Sequence, residues 1–96
     1  MSRESFEWDP GKDRQNRDKH GVAFVEAQYA FAEPNRVIAR DRSHSHGEQR
    51  YYCMGKVAGG ILTVRFTWRG GTIRIIGAGY WRKGKHIYER ENQIPR

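Results

Sequence analysis

A β-hairpin can be recognised in residues 61–78, which read ILTVRFTWRGGTIRIIGA. Two runs rich in β-branched and aromatic residues flank Gly70 and Gly71, and such a pair suits the positive φ angles of a tight primed turn. The pattern predicts two antiparallel strands, 61–69 and 72–78, joined by a two-residue turn. Because the turn is short, it also predicts which residues lie opposite each other.

Strand alternation divides the hairpin side chains between two faces. The apolar face, which we expect to contact the core, holds Leu62, Val64, Phe66, Trp68, Ile73 and Ile75. On the polar face the turn places Thr67 opposite Arg74, and it places Arg65 opposite Ile76. Arg65 and Arg74 are therefore predicted to lie diagonally across one surface, with side chains about 5–8 Å apart.

Two like charges at that separation repel each other unless water or an anion screens them. Arginine presents a planar, permanently charged fork of donors, which suits a phosphate group. We therefore interpret the two arginines as a candidate phosphate site, joined by Arg50 if the preceding strand pairs in a suitable register. The alternative is that they extend over apolar surface or meet Asp and Glu side chains of a covering element.

The rest of the chain supplies further strands and helices around this hairpin. Residues 51–57 predict a strand that precedes it across a glycine-containing turn, and residues 36–40 predict another strand before a polar loop. Residues 24–31 and 82–91 predict helices, and residues 6–8 form an extended lead-in that becomes a strand once it is paired. The order indicates a single α+β domain that spans residues 1–96.

A short polar helix is predicted near the N-terminus. Asp9 suits its N-cap, Pro10 suits its first position, and Gly21 suits its C-terminal cap. Between these ends lie no apolar side chains beyond the proline, so burial of an apolar stripe cannot hold the helix in place. It is either a solvated helix tethered by caps and ion pairs, or a surface of donors that includes Lys12 and His20.

Charge is distributed unevenly along the chain. Residues 1–48 hold eight Lys or Arg against nine Asp or Glu, whereas residues 49–96 hold ten against two, so the net charges are −1 and +8. The basic half attracts polyanions, and nucleic acid or an acidic protein partner is favoured over a membrane. No apolar run approaches a membrane span, and residues 1–7 lack an apolar signal-peptide core, so we expect a cytoplasmic protein.

The N-terminal spacing resembles the opening signature of the BrnT family, the toxins of a class of bacterial type II toxin–antitoxin pairs. The residues that carry this resemblance are Trp8, Asp9, Pro10, Lys12, Asn16, Lys19, His20, Gly21, Val22, Phe24, Glu26 and Ala27. Similarity continues in a central segment and in the last strand, with Asp41, Gly47, Glu48 and Arg50, and then Arg74, Ile75 and Ile76.

The resemblance implies a RelE-like fold, in which two N-terminal helices precede an antiparallel sheet of about four strands and a C-terminal helix follows. It implies a metal-independent endoribonuclease that blocks translation and uses no cofactor. It also implies a partner, a BrnA-like antitoxin with a ribbon-helix-helix region. The chain is then expected to reach operator DNA only within that complex.

RNA can be cleaved without a metal when its own 2′-hydroxyl attacks the adjacent phosphorus. The protein then has to supply positive charge, a base and an acid. We expect Arg65 and Arg74 to stabilise the phosphorane-like transition state, with Arg50 in support.

His20 is the candidate for proton transfer, because an ordinary imidazole titrates near neutral pH. The structural alternative is that it caps the C-terminal end of its helix, where the dipole favours imidazolium. Glu48 is the alternative base if it is desolvated. Lys12 and Lys19 are expected to hold phosphate.

One position departs from the family pattern. Many relatives carry Ser-Ala-Arg after the final isoleucine, whereas this chain carries Gly77, Ala78 and Gly79. Either Arg82 replaces the missing arginine, or Trp81 stacks on a base, or catalysis is weakened. The departure keeps an alternative function open, which is a non-catalytic nucleic-acid- or protein-binding module with the same basic sheet.

We expect no metal site. Asp41, His44, His46 and Cys53 are potential zinc ligands, but the chain has a single cysteine and the spacings match no known zinc finger. Cys53 is instead expected to be a small buried packing residue.

Overall fold

A five-stranded sheet with the order β1-β5-β4-β3-β2 forms the centre of the protein. It is seen in a computed structural model that describes residues 5–44 and 47–95. The strands are β1 (Ser5–Trp8), β2 (Val37–Asp41), β3 (Arg50–Val57), β4 (Gly60–Arg69) and β5 (Thr72–Gly79). The helices are α1 (Pro10–His20), α2 (Phe24–Ala27) and α3 (Arg82–Glu91), and 3₁₀ turns occupy Gln28–Ala32 and Arg42–His44.

The α+β class and the C-terminal helix are confirmed, but two details of the predicted architecture are wrong. The sheet has five strands rather than about four, and it is mixed, because the lead-in Ser5–Trp8 pairs in parallel with β5. The second N-terminal helix is one α-helical turn that tightens into a 3₁₀ turn at Gln28. None of the described helices has the length and apolar character needed to cross a membrane.

The central hairpin turns where predicted, with φ angles of 55° at Gly70 and 85° at Gly71. Thr67 lies opposite Arg74, as expected. The prediction that Arg65 faces Ile76 is wrong, because a register shift between Arg65 and Phe66 adds one residue to β5. Such a bulge moves every later pairing by one position, so Arg65 faces the backbone of Gly77.

The apolar face of the sheet packs against α2 and the 3₁₀ turn that follows it. Phe24 and Phe66 are fully buried, and Phe31 contacts Phe66 edge to face with 4.9 Å between ring centroids. Trp68 is an exception to the predicted core face, since it is 42% exposed near the end of β4. Cys53 is a buried packing residue, as predicted, and its burial raises the pKa of the thiol to about 12.

A single asparagine attaches the polar helix α1 to the sheet. β1 pairs with β5 only as far as Ile75, which leaves the edge of β5 open at Ala78. The Asn16 amide fills this place: its Nδ2 donates to the carbonyl of Ala78 at 2.9 Å, and its Oδ1 accepts from the N–H of Ala78 at 3.1 Å. The same Nδ2 donates to the carbonyl of Val22 at 2.9 Å. The side chain therefore pairs with β5 as a neighbouring strand would.

Both predicted ends of α1 are confirmed. The Asp9 carboxylate accepts from the N–H of Lys12 at 2.9 Å, and Gly21 adopts a left-handed φ of 69°. The helix thus delivers His20, its last residue, to the end of the sheet where β5 finishes.

Helix α3 crosses the opposite face of the sheet. Its Gly84 lies against Thr63 and Met54 so closely that a Cβ at position 84 would overlap the Thr63 hydroxyl. At its other end, the Tyr88 hydroxyl donates to Glu33 beside the sheet edge. α3 therefore covers one half of this face and leaves the other half open.

Replacing Gly84 with alanine tests this close contact. A glycine-to-alanine change in a helix ordinarily stabilises by about 1 kcal/mol, but here we expect a net loss of about 1–3 kcal/mol from overpacking. Thermal unfolding followed by circular dichroism measures the change. In a Thr63→Ala background, Gly84→Ala should cost less stability than it does in the unmodified protein. If Gly84→Ala alone stabilises the protein, the packing described is wrong.

Candidate functional site

The half of this face that α3 leaves uncovered carries a set of polar side chains that we call the arginine face: Tyr52, Arg65, Thr67 and Arg74. Within it Thr67 is buried and donates to the carbonyl of Gln49 at 2.6 Å. Tyr52 lies directly opposite Arg65, and Thr67 lies directly opposite Arg74. Residues 65 and 67 of one strand point to the same side. Arg65 and Arg74 therefore share one surface, as the sequence predicted.

Arg65 is the least satisfied member of the arginine face. Its Nε is buried and has no hydrogen-bond partner among the described residues. On β5 it faces Gly77, where an added Cβ would lie 3.9 Å from Cδ of Arg65, so no side chain from that strand covers it. A buried donor without a partner is unfavourable, and an incoming acceptor would restore the missing hydrogen bond.

Arg74 has a partner within the chain. Its Nη1 lies 2.7 Å from Oε2 of Glu7, its neighbour across the β1–β5 pairing. This matches the alternative in which a carboxylate meets the arginine. The side chains are 27% and 42% exposed, and ion pairs this accessible contribute about 0–1 kcal/mol, so a phosphate can compete with Glu7 for Arg74.

Tyr52 provides a neutral donor next to Arg65. Burial raises the pKa of its phenol above the ordinary value, and a hydrogen bond to Asp41 and the charge of that carboxylate raise it further, whereas Arg65 lowers it. The phenol therefore keeps its proton at neutral pH. Sequence reasoning named Asp41 only within the family resemblance and as a potential zinc ligand, and it missed the contact between Asp41 and Tyr52.

A signal for the position of Tyr52 opposite Arg65 was present in the sequence. Ala58 and Gly59 have φ angles of 51° and 82°, which makes them a two-residue turn between β3 and β4. Counting back from such a turn pairs position 57 with 60, and hence Tyr52 with Arg65. Treating Gly60 as part of the turn concealed that register.

Trp81 occupies the place next to Gly79 where an arginine is expected in the family. An added Cβ at Gly79 would lie 2.5–2.9 Å from three atoms of the Trp81 indole, so a side chain there would have to displace the ring. His20 contacts the indole edge to face, with 5.2 Å between centroids. Because Gly79 pairs with Thr63, this corner lies two residues along β4 from Arg65, about 7 Å.

The other predicted residues lie on α1, on α3, and in β3 and the loop before it. Glu48 pairs with Arg69 at 3.1 Å, four residues along β4 or about 13 Å from Arg65. Arg50 begins β3 opposite Asp41, on the same side of the strand as Tyr52. Three further cations are exposed: Lys12 and Lys19 on α1, and Arg82 on the flank of α3 that borders a separate groove of about 970 Å³.

Potential metal ligands do not cluster in the part of the chain that the structure describes, where no three His, Cys, Asp or Glu side chains could hold one ion. Cys53 is on the core side of β3, whereas Asp41 contacts Tyr52 on the arginine face. His46 and the side chain of His44 lie outside the described residues.

One known protein family matches most of the chain. The model of a family described as "Ribonuclease toxin, BrnT, of type II toxin-antitoxin system" matches residues 8–84, which include α1, the whole sheet after β1 and the first turn of α3. No curated protein matches the chain. A match over most of the sequence shows membership, and the chain belongs to the BrnT family of ribonuclease toxins of type II toxin–antitoxin systems.

Proposed function

We propose that the arginine face is the ribonuclease site and that it cleaves RNA without a metal. The substrate's 2′-oxygen attacks the adjacent phosphorus, and the bond to the 5′-oxygen of the next nucleotide breaks. The products are a 2′,3′-cyclic phosphate and a 5′-hydroxyl. Because the nucleophile belongs to the RNA, the protein needs only to stabilise charge and move two protons.

The observation that carries this proposal is the unpartnered Nε of Arg65 on an open, basic sheet face. Negative charge accumulates on the non-bridging phosphate oxygens as the 2′-oxygen attacks. A guanidinium already in place, in a partly dry position, stabilises this charge without first having to reorganise. The Tyr52 phenol lies next to it and, hydrogen-bonded to Asp41, stays neutral beside the guanidinium.

For proton transfer the geometry favours His20 over Glu48. His20 contacts Trp81 at the corner nearest to Arg65, whereas Glu48 is engaged by Arg69 at the far end of β4. In this proposal His20 takes the proton from the 2′-hydroxyl, and a proton from solvent water is delivered to the leaving 5′-oxygen to give the 5′-hydroxyl product. Arg74 and Arg50 hold neighbouring phosphates, and Lys12 and Lys19 extend the basic surface along α1.

The family implies an antitoxin partner, and we propose a BrnA-like protein with a ribbon-helix-helix region. The chain would meet operator DNA through that partner. Neutralisation then requires only that the antitoxin covers the arginine face or keeps RNA from reaching it. We further propose a RelE-like ancestry for the sheet and α3.

Incubating the purified chain with RNA in excess EDTA tests this function. We expect cleavage to persist, with 2′,3′-cyclic phosphate and 5′-hydroxyl ends identified by mass spectrometry. Cleavage that requires a divalent ion, or that leaves 5′-phosphate ends, would contradict the mechanism.

One observation favours a second candidate function. The indole of Trp81 leaves no room for the family's arginine at position 79, so this chain has fewer cations at the corner than many relatives. A protein that binds RNA through the arginine face without cutting it would fit the same structure. Binding without cleavage in the EDTA experiment would favour this second candidate.

Replacing Glu7 with glutamine should release Arg74 for phosphate binding. We expect affinity for a 2′-O-methyl RNA, which cannot be cleaved, to rise about threefold to tenfold, equal to about 0.7–1.4 kcal/mol. The slope of affinity against salt concentration should steepen by roughly one phosphate contact. Fluorescence anisotropy at several salt concentrations measures both quantities.

Glu91→Gln is the matched control for that experiment. Glu91 lies 3.5 Å from Arg90 at the C-terminal end of α3, and its replacement makes the same change in net charge. Equal gains from the two variants would show that only overall charge matters, against a specific role for Arg74.

A further inference from the structure

A second cavity, of about 250 Å³, opens between the sheet and the first turns of α3. It is lined by Tyr52, Met54, Thr63, Trp81, Lys83, Gly84 and Ile87. Two of its walls are aromatic side chains, and its floor is the sheet next to Arg65. Pockets for drug-sized ligands run from about 300 to 1,000 Å³, so this one suits a smaller, flat group.

The cavity contains polar groups that have no partner. Thr63 is only 4% exposed, and its hydroxyl has no hydrogen-bond partner among the described residues. The first turn of α3 borders the same space, and the Trp81 side chain makes no capping hydrogen bond to it. The N–H groups of a first helical turn have no partner within the helix, so these donors and the Thr63 hydroxyl, which is packed against Gly84, border an otherwise apolar cavity.

We propose that this cavity binds one base of the RNA, from the nucleotide next to the phosphate held by Arg65. The inference deepens the proposed function and rests on it. Tyr52 and Trp81 supply the faces on which a base stacks, whereas the Thr63 hydroxyl and the N–H groups at the start of α3 meet its polar edge. Lys83 at the rim lies near the backbone of the RNA.

The position of Tyr52 links the two parts of the site. Its backbone lies directly opposite Arg65, and its side chain lines the cavity. A nucleotide whose phosphate meets Arg65 therefore has its own base, or the adjacent one, within reach of the cavity. An apolar side chain of a protein partner would leave the hydroxyl and the helix donors unpaired, so the observations favour a base.

Mononucleotides provide a probe that cannot be cleaved. We suggest titrating the ¹⁵N-labelled full chain with AMP, GMP, CMP and UMP, and with ribose 5-phosphate as the matched ligand without a base. We expect at least one nucleotide to shift the amide signals of Thr63, Lys83 and Gly84 and to bind about tenfold more tightly than ribose 5-phosphate, as base stacking predicts.

Three variants sharpen the test. Tyr52→Leu removes one stacking surface, and Ile87→Trp keeps both rings but fills the cavity. Both should reduce nucleotide binding to within about threefold of ribose 5-phosphate. Tyr29→Leu removes a tyrosine that is 65% exposed on the 3₁₀ turn, at the other face of the sheet, and it should leave binding unchanged.

The outcomes separate this inference from the proposed function. If RNA is cleaved but nucleotides bind no better than ribose 5-phosphate, or leave the three amides unmoved, the base pocket is wrong and the ribonuclease site stands. If nucleotides shift those amides while RNA stays intact, the pocket stands and the cleavage proposal fails. Unchanged nucleotide binding in both cavity variants would also overturn the inference.

Discussion

Replacing Arg65 with alanine is expected to lower the rate of RNA cleavage by about 100- to 1,000-fold, as the loss of one preorganised donor to a transition-state oxyanion does in other enzymes. The guanidinium lies on the open face with a buried, unpartnered Nε, and no other side chain of the arginine face replaces it. Initial rates on a fluorogenic RNA in EDTA measure the loss.

Stability should be little changed by the same substitution, because Arg65 makes no ion pair with any residue that the structure describes. Arg69→Ala is the matched control: Arg69 follows on the same strand, is exposed and pairs with Glu48. We expect that variant to retain at least about half of the activity. A folded Arg65→Ala protein that cleaves RNA within threefold of the unmodified chain would remove the charge-stabilisation role.

Replacing Asn16 with alanine is expected to lower the free energy of unfolding by about 2–4 kcal/mol. The change deletes three hydrogen bonds and leaves the carbonyls of Val22 and Ala78 and the N–H of Ala78 without partners. Each such buried group costs about 1–3 kcal/mol, partly relieved by water. For a domain of this size the melting temperature should fall by about 10–25 °C.

Asn16→Asp distinguishes hydrogen bonding from packing, since aspartate keeps the size of the side chain but cannot donate to the two carbonyls when ionised. It should be at least as destabilising at neutral pH. Gln15→Ala, at the exposed neighbouring position, is the control and should change stability by less than about 0.5 kcal/mol. Equal stability of the Asn16 and Gln15 variants would show that α1 is held by other contacts.

The hairpin shows how much of the fold can be predicted from local signals. Gly70 and Gly71 specify a turn, and alternation assigns Arg65 and Arg74 to one face, both of which the structure confirms. The register that the turn specifies holds from Arg69 back to Phe66 and fails at Arg65. The bulge after Arg65 could not be predicted in this way. Neither the glycine pair nor the alternation of apolar residues carries a signal for the extra residue in β5.

The polar helix shows a different limit. Its caps were predictable because each acts within a few residues. The role of Asn16 was not, because its partner Ala78 lies sixty-two residues away in the sequence. An amide side chain in a helix without an apolar stripe is a candidate for attaching that helix to the rest of the fold. The sequence does not indicate which backbone groups the amide will bind.

The sequence predicted which residues form the candidate site better than it predicted the partners of those residues. Charge counts and alternation find the arginines, whereas the pairing of Arg74 with Glu7 depends on β1 joining the sheet in parallel. The Tyr52–Asp41 contact similarly depends on β2 lying beside β3. Each of these partners changes what an arginine or a phenol can do, and each comes from a different strand of the sheet.

The central claim is that RNA binds with a phosphate against Arg65. The side-chain Nε–H signal of Arg65 in an NMR spectrum of the ¹⁵N-labelled chain reports on this directly, and a 2′-O-methyl RNA oligonucleotide serves as the uncleavable ligand. We predict that this signal shifts on binding and that Arg65→Ala removes it. If RNA binds while the Arg65 signal stays in place and the shifts map to other surfaces, the arginine face is not the ribonuclease site.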